Sequence, residues 1–256
     1  MIDTHSHIYA EEFDTDCAEA IERAKSAGVE HIILPNVDSE TLPRMLSLEA
    51  AYPGYCHAAI GLHPTSVDAT FQTELNLIRS ELERREWIAI GEIGIDLYWD
   101  KTFLNKQITA FQQQIEWSLE YNLPVIIHVR DSFRETMTAL APYCNKGLRG
   151  VFHSFVGTIE EANEIIDFGG FYMGINGIVT FKNSGLAAVV EQIDLKHILL
   201  ETDSPYLTPA PHRGKRNESA YTELVLKKLS DIYQIPVEKI DTQTSANAKE
   251  LFTLLS

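Results

Sequence analysis

The sequence predicts an α/β fold, a TIM-type (β/α)8 barrel with a metal site at the C-terminal ends of its strands, and three observations predict it. Short apolar runs alternate with helical patterns along 256 residues, the order of a parallel sheet covered by helices. A single barrel of this kind takes about 250 residues, so one domain spanning residues 1–256 uses the whole chain. The polar residues of the runs gather at the C-terminal ends of many strands and not at one switch point, which favours a closed barrel over an open doubly wound sheet.

The strand-like runs are, in order, Ile2–His5, His31–Asn36, Cys56–His63, Trp87–Ile95, Pro124–Val129, Gly150–Phe155, Phe171–Ile175 and His197–Thr202. After the first, Cys17, Ala20, Ile21, Ala24 and Ala27 recur at helical spacing, and Gly28 stands where a left-handed residue closes a helix. Leu104, Ile108, Phe111, Ile115 and Leu119 mark a longer helix that stops before Pro124. Past the last strand, Tyr221, Leu224, Val225, Leu229 and Ile232 mark another.

Composition is ordinary for a globular chain, at 45% hydrophobic and 23% charged, but the formal charge is −16. So acidic a surface repels polyanions and excludes non-specific wrapping of nucleic acid. A nucleic-acid substrate has to be held locally, by metal ions or a small basic patch. No apolar run approaches the roughly 20 residues of a membrane span, and the N-terminus Met1-Ile2-Asp3-Thr4-His5 lacks the features of a secretory leader. Cys17, Cys56 and Cys144 are odd in number and form no CxxC pair. They read as free thiols in a reducing compartment, so a cytoplasmic location is expected. A closed barrel has no open strand edges, so a monomer is expected, and neither membrane contact nor an obligate protein partner is expected.

The first strand leads into Asp3-Thr4-His5-Ser6-His7, where alternation puts both histidines on one side, able to bind one metal. Alone, such a pair is more often a surface or packing feature. Glu92 lies inside the apolar run Ile90-Gly91-Glu92-Ile93-Gly94, where a carboxylate is costly unless it meets a cation or an ion-pair partner on a helix. The nearby glycines suggest close backbone packing. His128 and His153 end consecutive apolar strands, and Glu201 and Asp203 end the last one. One such histidine is ordinarily a satisfied core residue; two in succession are harder to place that way. Together His5, His7, Glu92, His128, His153 and Asp203 exceed what one catalytic zinc needs, about three ligands and an open position. Two divalent metal ions sharing a bridging carboxylate account for the set. The ligand types suit Zn, Mn or Fe, and the carboxylates also admit Mg.

With these residues in hand, the chain resembles the TatD family of deoxyribonucleases, within the amidohydrolase-type metal-dependent hydrolase superfamily. The stretches are DTHSH (3–7), GLHP (61–64), GEIGID (91–96), IHVRDS (127–132), GVFHSFVGT (150–158), GINGIVTF (174–181), LETDSP (200–205), RGKRNESAY (213–221) and TSANAKELF (244–252), spread along the chain. The resemblance implies that His5, His7 and Asp203 hold one ion, His128 and His153 the other, and that Glu92 bridges, where many superfamily relatives carry a modified lysine. It also implies phosphodiester hydrolysis, of exonuclease type, on a DNA strand end or another phosphodiester. Leu97-Tyr98 stands where an aromatic pair is more usual, and Val129 where a small polar residue is common, departures expected at the substrate rim and not at the metals.

The expected chemistry is in-line attack on phosphorus by a water activated between two metals. Asp203 is the candidate proton acceptor, with Glu201 as the alternative or as an orienting group, and Glu92 between the ions. His63, Arg130, Ser154 and Arg213 are candidates to hold phosphate oxygens, although His63 also reads as a turn histidine before Pro64. Asp3 and Asp96 are placed to orient histidines. The basic stretch His212–Arg216 is a candidate backbone-phosphate contact as much as a solvated loop. Tyr98, Trp99 and Tyr206 are rim candidates, without the spaced aromatics of a stacking platform. The same set also admits a hydrolase of other ester, lactone or amide bonds, and, more weakly, a non-catalytic metal-binding protein.

Overall fold

Isoleucine, valine and leucine dominate the short segments that become strands, because branched side chains suit a pleated, half-buried surface. The computed structural model describes residues 1–253, in which these segments are β1 (Ile2–Asp3), β2 (His31–Pro35), β3 (Cys56–Ala59), β4 (Ile90–Asp96), β5 (Val125–Arg130), β6 (Gly150–Phe152), β7 (Phe171–Ile175) and β8 (Ile198–Leu200). Between and after them lie α1 (Cys17–Ser26), α2 (Leu42–Ala51), α3 (Phe71–Leu82), α4 (Leu104–Tyr121), α5 (Phe133–Leu140), α6 (Ile159–Phe168), α7 (Leu186–Val190), α8 (Thr222–Tyr233) and α9 (Val237–Leu251). Gly28, at φ +87°, follows the end of α1 as expected, and a capping box of Thr158 and Glu161 opens α6.

β1 to β3 form one parallel ladder and β4 to β8 another, each in sequence order. The ladders meet at both seams. At one, Ile60 pairs with Ile90, and the Gly91 amide donates to the Ile60 carbonyl at 2.8 Å. At the other, Ser6 pairs with Ser204, the Thr4 amide donates to Leu200 at 3.0 Å, and the Asp203 amide donates to His5 at 2.9 Å. The ring is closed: a barrel of eight parallel strands.

Strand alternation divides the core. Ile32 and Leu34 of β2 face the helices, whereas Ile33 faces inward, with Ile2, Ala59, Ala89, Ile126, Val151 and Leu199. This inner layer rests on Ala248, Leu251 and Phe252 at the end of α9, which stoppers the lower end. Continuing the inward parity upward gives the site. Ile126 leads to His128 and then Arg130, Val151 to His153, and Leu199 to Glu201 and Asp203. On β4, Ile93 and Ile95 face the helices, so Glu92 and Asp96 face in, above a register irregularity between Ile90 and Ile93.

Several predicted runs extend past the ladders, which stop at Asp3, Ala59, Phe152 and Leu200. The polar residues that follow leave the ladder and bend over the mouth. Among the described residues no helix is long and apolar enough to cross a membrane.

Candidate metal centre

Glu92 is 2% exposed, and its two oxygens divide the histidines around it. Oε2 lies 3.2 Å from His5 Nε2 and 3.5 Å from His7 Nε2. Oε1 lies 2.8 Å from His128 Nδ1, 3.3 Å from His63 Nε2 and 3.5 Å from His153 Nε2. The glycines beside Glu92 admit this crowding. A Cβ at Gly91 would stand 2.6 Å from the Ile126 Cβ, and one at Gly94 would stand 2.0 Å from the His128 carbonyl oxygen.

The donors fall into three overlapping sets, each with its atoms within 4.8 Å of one another: His5, His7 and Asp203; His5, Glu92 and His153; His63, Glu92 and His128. His63, expected among the phosphate-holding groups, stands inside the ligand cluster, 3.3 Å from His128 Nδ1. The His128 and His153 rings, expected on one ion, are 6.2 Å apart and fall in different sets that share Glu92. Asp203 Oδ1 lies 3.7 Å from both His5 and His7.

The donor set fits divalent cations. His5 Nε2 and His7 Nε2 face each other at 3.2 Å while both turn toward one carboxylate oxygen. A neutral imidazole offers a single ring proton, so converging ring nitrogens are stabilised by a shared cation. His5 Nδ1 is buried without a hydrogen-bond partner.

Behind these donors sit groups that pack against the rings. Asp96 Oδ2 lies 3.0 Å from His128 Nε2. Glu201 Oε1 lies 3.2 Å from His153 Nδ1, accepts from the Ser154 amide at 2.7 Å, and meets Asn176 Nδ2 at 3.4 Å. Asn176 also donates to Ser154 Oγ at 2.8 Å. The Tyr9 hydroxyl lies 2.9 Å from His7 Nδ1 and donates to the Pro35 carbonyl at 2.5 Å. Asp3 accepts from the Thr202 amide at 2.9 Å and hydroxyl at 2.7 Å, tying the first ligand strand to the last. Sequence reading missed Tyr9 and Asn176. Their signal was parity: Tyr9 continues His5 and His7 by twos, and Asn176 continues the inward Tyr172 and Gly174.

The electrostatics follow from burial against charge. Burial pushes the Glu92 carboxyl up, but the imidazoles of His63, His5, His153 and His128 outweigh it and hold it well below the usual range. Burial also opposes charge on His153, yet the carboxylates of Glu201, Glu92 and Asp203 push it up to about 10. His128 is raised likewise, burial being overcome by Asp96 and Glu92. Burial and the neighbouring His153 hold His5 well below its ordinary value. Burial lifts Asp203 to about 6.

The remaining candidates stand further out. Arg130 is exposed, its guanidinium 3.8 Å from the centre of the Tyr98 ring. Arg213 is exposed too, 3.6 Å over the Phe181 ring. Ser154, at φ +50°, borders a cavity of about 360 Å³ lined also by His153, Phe133, Phe155 and Val156. Within the basic stretch, Arg216 is engaged in a clasp with Asp16 at 2.6 and 2.7 Å, beside the Arg23–Glu218 pair.

Known proteins resemble the chain over its full length. A profile of the family described as TatD related DNase matches residues 2–253. The chain is 40% identical to YabD of Bacillus subtilis, described as an uncharacterised metal-dependent hydrolase, over 99% of both chains. It is 30% identical to the 3'-5' ssDNA/RNA exonuclease TatD of Pantoea ananatis, over 100% of both. Among solved structures it superposes on the TatD homologue YjjV of Escherichia coli with a TM-score of 0.92 and 30% identity, covering 99% of this chain and 98% of that one. On these matches and this geometry, the chain belongs to the TatD family of metal-dependent hydrolases.

Proposed function

We propose that the protein is an exonuclease that hydrolyses phosphodiesters at the end of an unpaired DNA or RNA strand, with two divalent cations held across Glu92. The observation that carries this reading is the division of the histidines between the two Glu92 oxygens, His5 and His7 at Oε2 and His63, His128 and His153 at Oε1. It is supported by the relatives named as 3'-5' ssDNA/RNA exonucleases.

His5, His7 and Asp203 would hold one cation, with Glu92 shared; His128 and His153 would hold the other, joined by His63. Bound there, such ions supply Lewis acidity to a phosphate oxygen and to water. The protein's own groups do the rest. Asp203, whose side chain is 13% exposed, is set to accept a proton at its carboxylate. Glu201 is fully buried behind His153 and serves to orient that ring, as Asp96 orients His128 and Tyr9 orients His7. Arg130 and Arg213 hold phosphate oxygens from the rim, and Ser154 offers a hydroxyl between them and the centre. The free Cys17, Cys56 and Cys144 suit a reducing, cytoplasmic setting.

The test is to strip the protein of metal and restore Mg, Mn or Zn in turn, with an end-labelled single-stranded oligonucleotide and a Glu92→Gln control. Stepwise shortening that requires metal and is lost in the control is expected. Failure to shorten the strand with every metal, in protein shown to bind two ions, would overturn the nuclease reading in favour of another ester, lactone or amide substrate.

A further inference from the structure

We propose that Tyr98 and Trp99 form a stacking platform for the bases of the incoming strand, so that the site grips unpaired nucleic acid by its base faces without reading its sequence. The proposal rests on the nuclease reading and names the feature that makes the substrate single-stranded.

Trp99 is 70% exposed and Tyr98 54% exposed, and together with Val156 and Tyr206 they crowd the barrel mouth; among the described residues Leu77 on α3 is the other large apolar side chain so exposed. Leaving an indole in water forfeits burial that would otherwise stabilise the fold, so exposed rings gathered at one rim mark a binding surface. The two rings meet edge to face at 4.8 Å and 88°, which holds each in a defined direction.

Charge complements the rings. The Arg130 guanidinium lies 3.8 Å from the Tyr98 ring centre and 5.3 Å from that of Trp99. Neither it nor Arg213 is paired with a carboxylate among the described residues, although the chain carries a formal charge of −16. A planar cation against an aromatic face gives a strand both things it needs, a partner for phosphate and a surface for a base.

The platform is also tied to the centre by one carboxylate. Asp96 Oδ1 accepts from the Tyr98 amide at 3.0 Å and lies 3.4 Å from the Trp99 amide, while its Oδ2 meets His128 at 3.0 Å. The Leu97 amide donates to the Arg130 carbonyl at 2.9 Å, fixing the same loop to β5. A base stacked on Trp99 is therefore held in register with the ligand that flanks the cleavable bond. Inside a duplex the base faces are covered by their neighbours and a blunt end leaves a single pair face open, so an unpaired strand, whose bases can each turn onto the rings, uses the platform best.

The protein carries its own probe. Of its three tryptophans, Trp87 and Trp117 are 1% and 7% exposed, so a fluorescence change on binding reports Trp99. Metal-loaded protein would be titrated with a phosphorothioate oligothymidylate, with an abasic strand of equal length, and with a blunt hairpin of equal charge. Quenching by the oligothymidylate, with little from the abasic strand or hairpin, is expected. By fluorescence anisotropy of a labelled strand, Trp99→Ala should bind the oligothymidylate roughly 5- to 150-fold more weakly, the equivalent of one base stack. Equal binding of based and abasic strands, with tryptophan emission unmoved, would overturn the platform while leaving the nuclease reading intact. Absence of both strand binding and strand cleavage would overturn the two together. Should Trp99→Ala fail to fold, the comparison of strands on the unaltered protein decides the matter.

Discussion

The carboxylate of Asp96 lies 3.0 Å from Nε2 of His128 and so turns the other ring nitrogen, Nδ1, onto Glu92 at 2.8 Å. On His153 the arrangement is reversed: Glu201 sits 3.2 Å from Nδ1, and Nε2 faces Glu92. Each ring presents the nitrogen that its rear carboxylate leaves free. On His128 the tautomer is thereby set by a residue that need not touch the cation, whereas Glu201 stands beside His153 Nδ1 without a hydrogen bond to it. Asp96→Asn keeps the size and loses the acceptor charge. Its affinity for divalent metal should fall roughly 10- to 100-fold. Titration calorimetry on metal-stripped protein checks this, and an unchanged affinity would remove Asp96 from the site.

Glu201 and Asp203 share one inward strand face, and sequence alone left both open as proton acceptor. They differ in access: Glu201 is 0% exposed with Oε2 against Gly174, whereas the Asp203 side chain is 13% exposed. Glu201→Gln should therefore lose activity chiefly through weaker metal binding, and high metal concentration should restore much of it. Asp203→Asn should remain defective at every metal concentration, since on the proposed mechanism it loses both a donor and the proton acceptor. Kinetics across a metal series test the pair; a Glu201→Gln defect that saturating metal leaves untouched would reverse the assignment.

Much of this was legible because strand parity is rigid. Once Ile126, Val151 and Leu199 face inward, His128, His153 and Asp203 must follow, and the sequence shows both sets. Barrel closure was legible for a different reason, the polar residues gathered at the C-terminal ends of many strands. Helices such as α2, α3 and α9 were harder, since their apolar faces are short or mixed with polar residues, and a capping-box spacing is no sure guide: Thr158 and Glu161 form the box at α6, whereas Ser132 and Glu135 have the spacing at α5 without the cap hydrogen bond. The place of His63 was hidden because it sits in a loop beyond β3, where no periodicity fixes direction. The fate of Arg216 depended on Asp16, 200 residues away in sequence, a pairing that no local pattern reveals.

The backbone around Glu92 has no spare volume. Gly91→Ala would bring a Cβ to 2.6 Å from the Ile126 Cβ, too close for real carbon atoms, and the inner layer is already packed on both sides. Overpacking of this kind costs about 1–3 kcal/mol. A lower melting temperature is expected, together with weaker metal binding as Glu92 shifts. A variant that melts like the parent and binds metal normally would show that the strand can yield there.

Metal should stabilise the fold as well as serve the reaction. Without a cation to share, the ring nitrogens of His5 and His7 face each other at 3.2 Å, and a ligand bound to the folded state alone adds about 2.7 kcal/mol at a hundred times its Kd. For a chain of this length that is a rise of roughly 5–10 °C. Differential scanning calorimetry with and without chelator measures it, and Glu92→Gln should abolish most of the difference.

Acid sensitivity should arise at the opposite end of the barrel, where His57 Nε2 lies 3.0 Å from His31 Nδ1. Burial, then the neighbouring His31, lowers His57 to about 4, and Glu49 offsets this only in part. His31, which also meets the Gly54 carbonyl at 3.1 Å, is lowered mainly by burial. Both rings are thus neutral in the fold where the unfolded chain, with an ordinary value near 6.5, takes up protons. Below that value the unfolded state binds the extra proton, so stability falls as the pH drops from about 6.5 toward 4 and levels off beneath. Because His57 is partly open to solvent, the loss is on the order of 1–2 kcal/mol after screening. Urea unfolding of the metal-stripped protein across that range gives a slope to which the buried His5 also contributes, so the difference between the parent and a His57 variant isolates this pair. His57→Gln, which cannot take up the proton, should flatten the slope; an unchanged slope would place the acid sensitivity elsewhere.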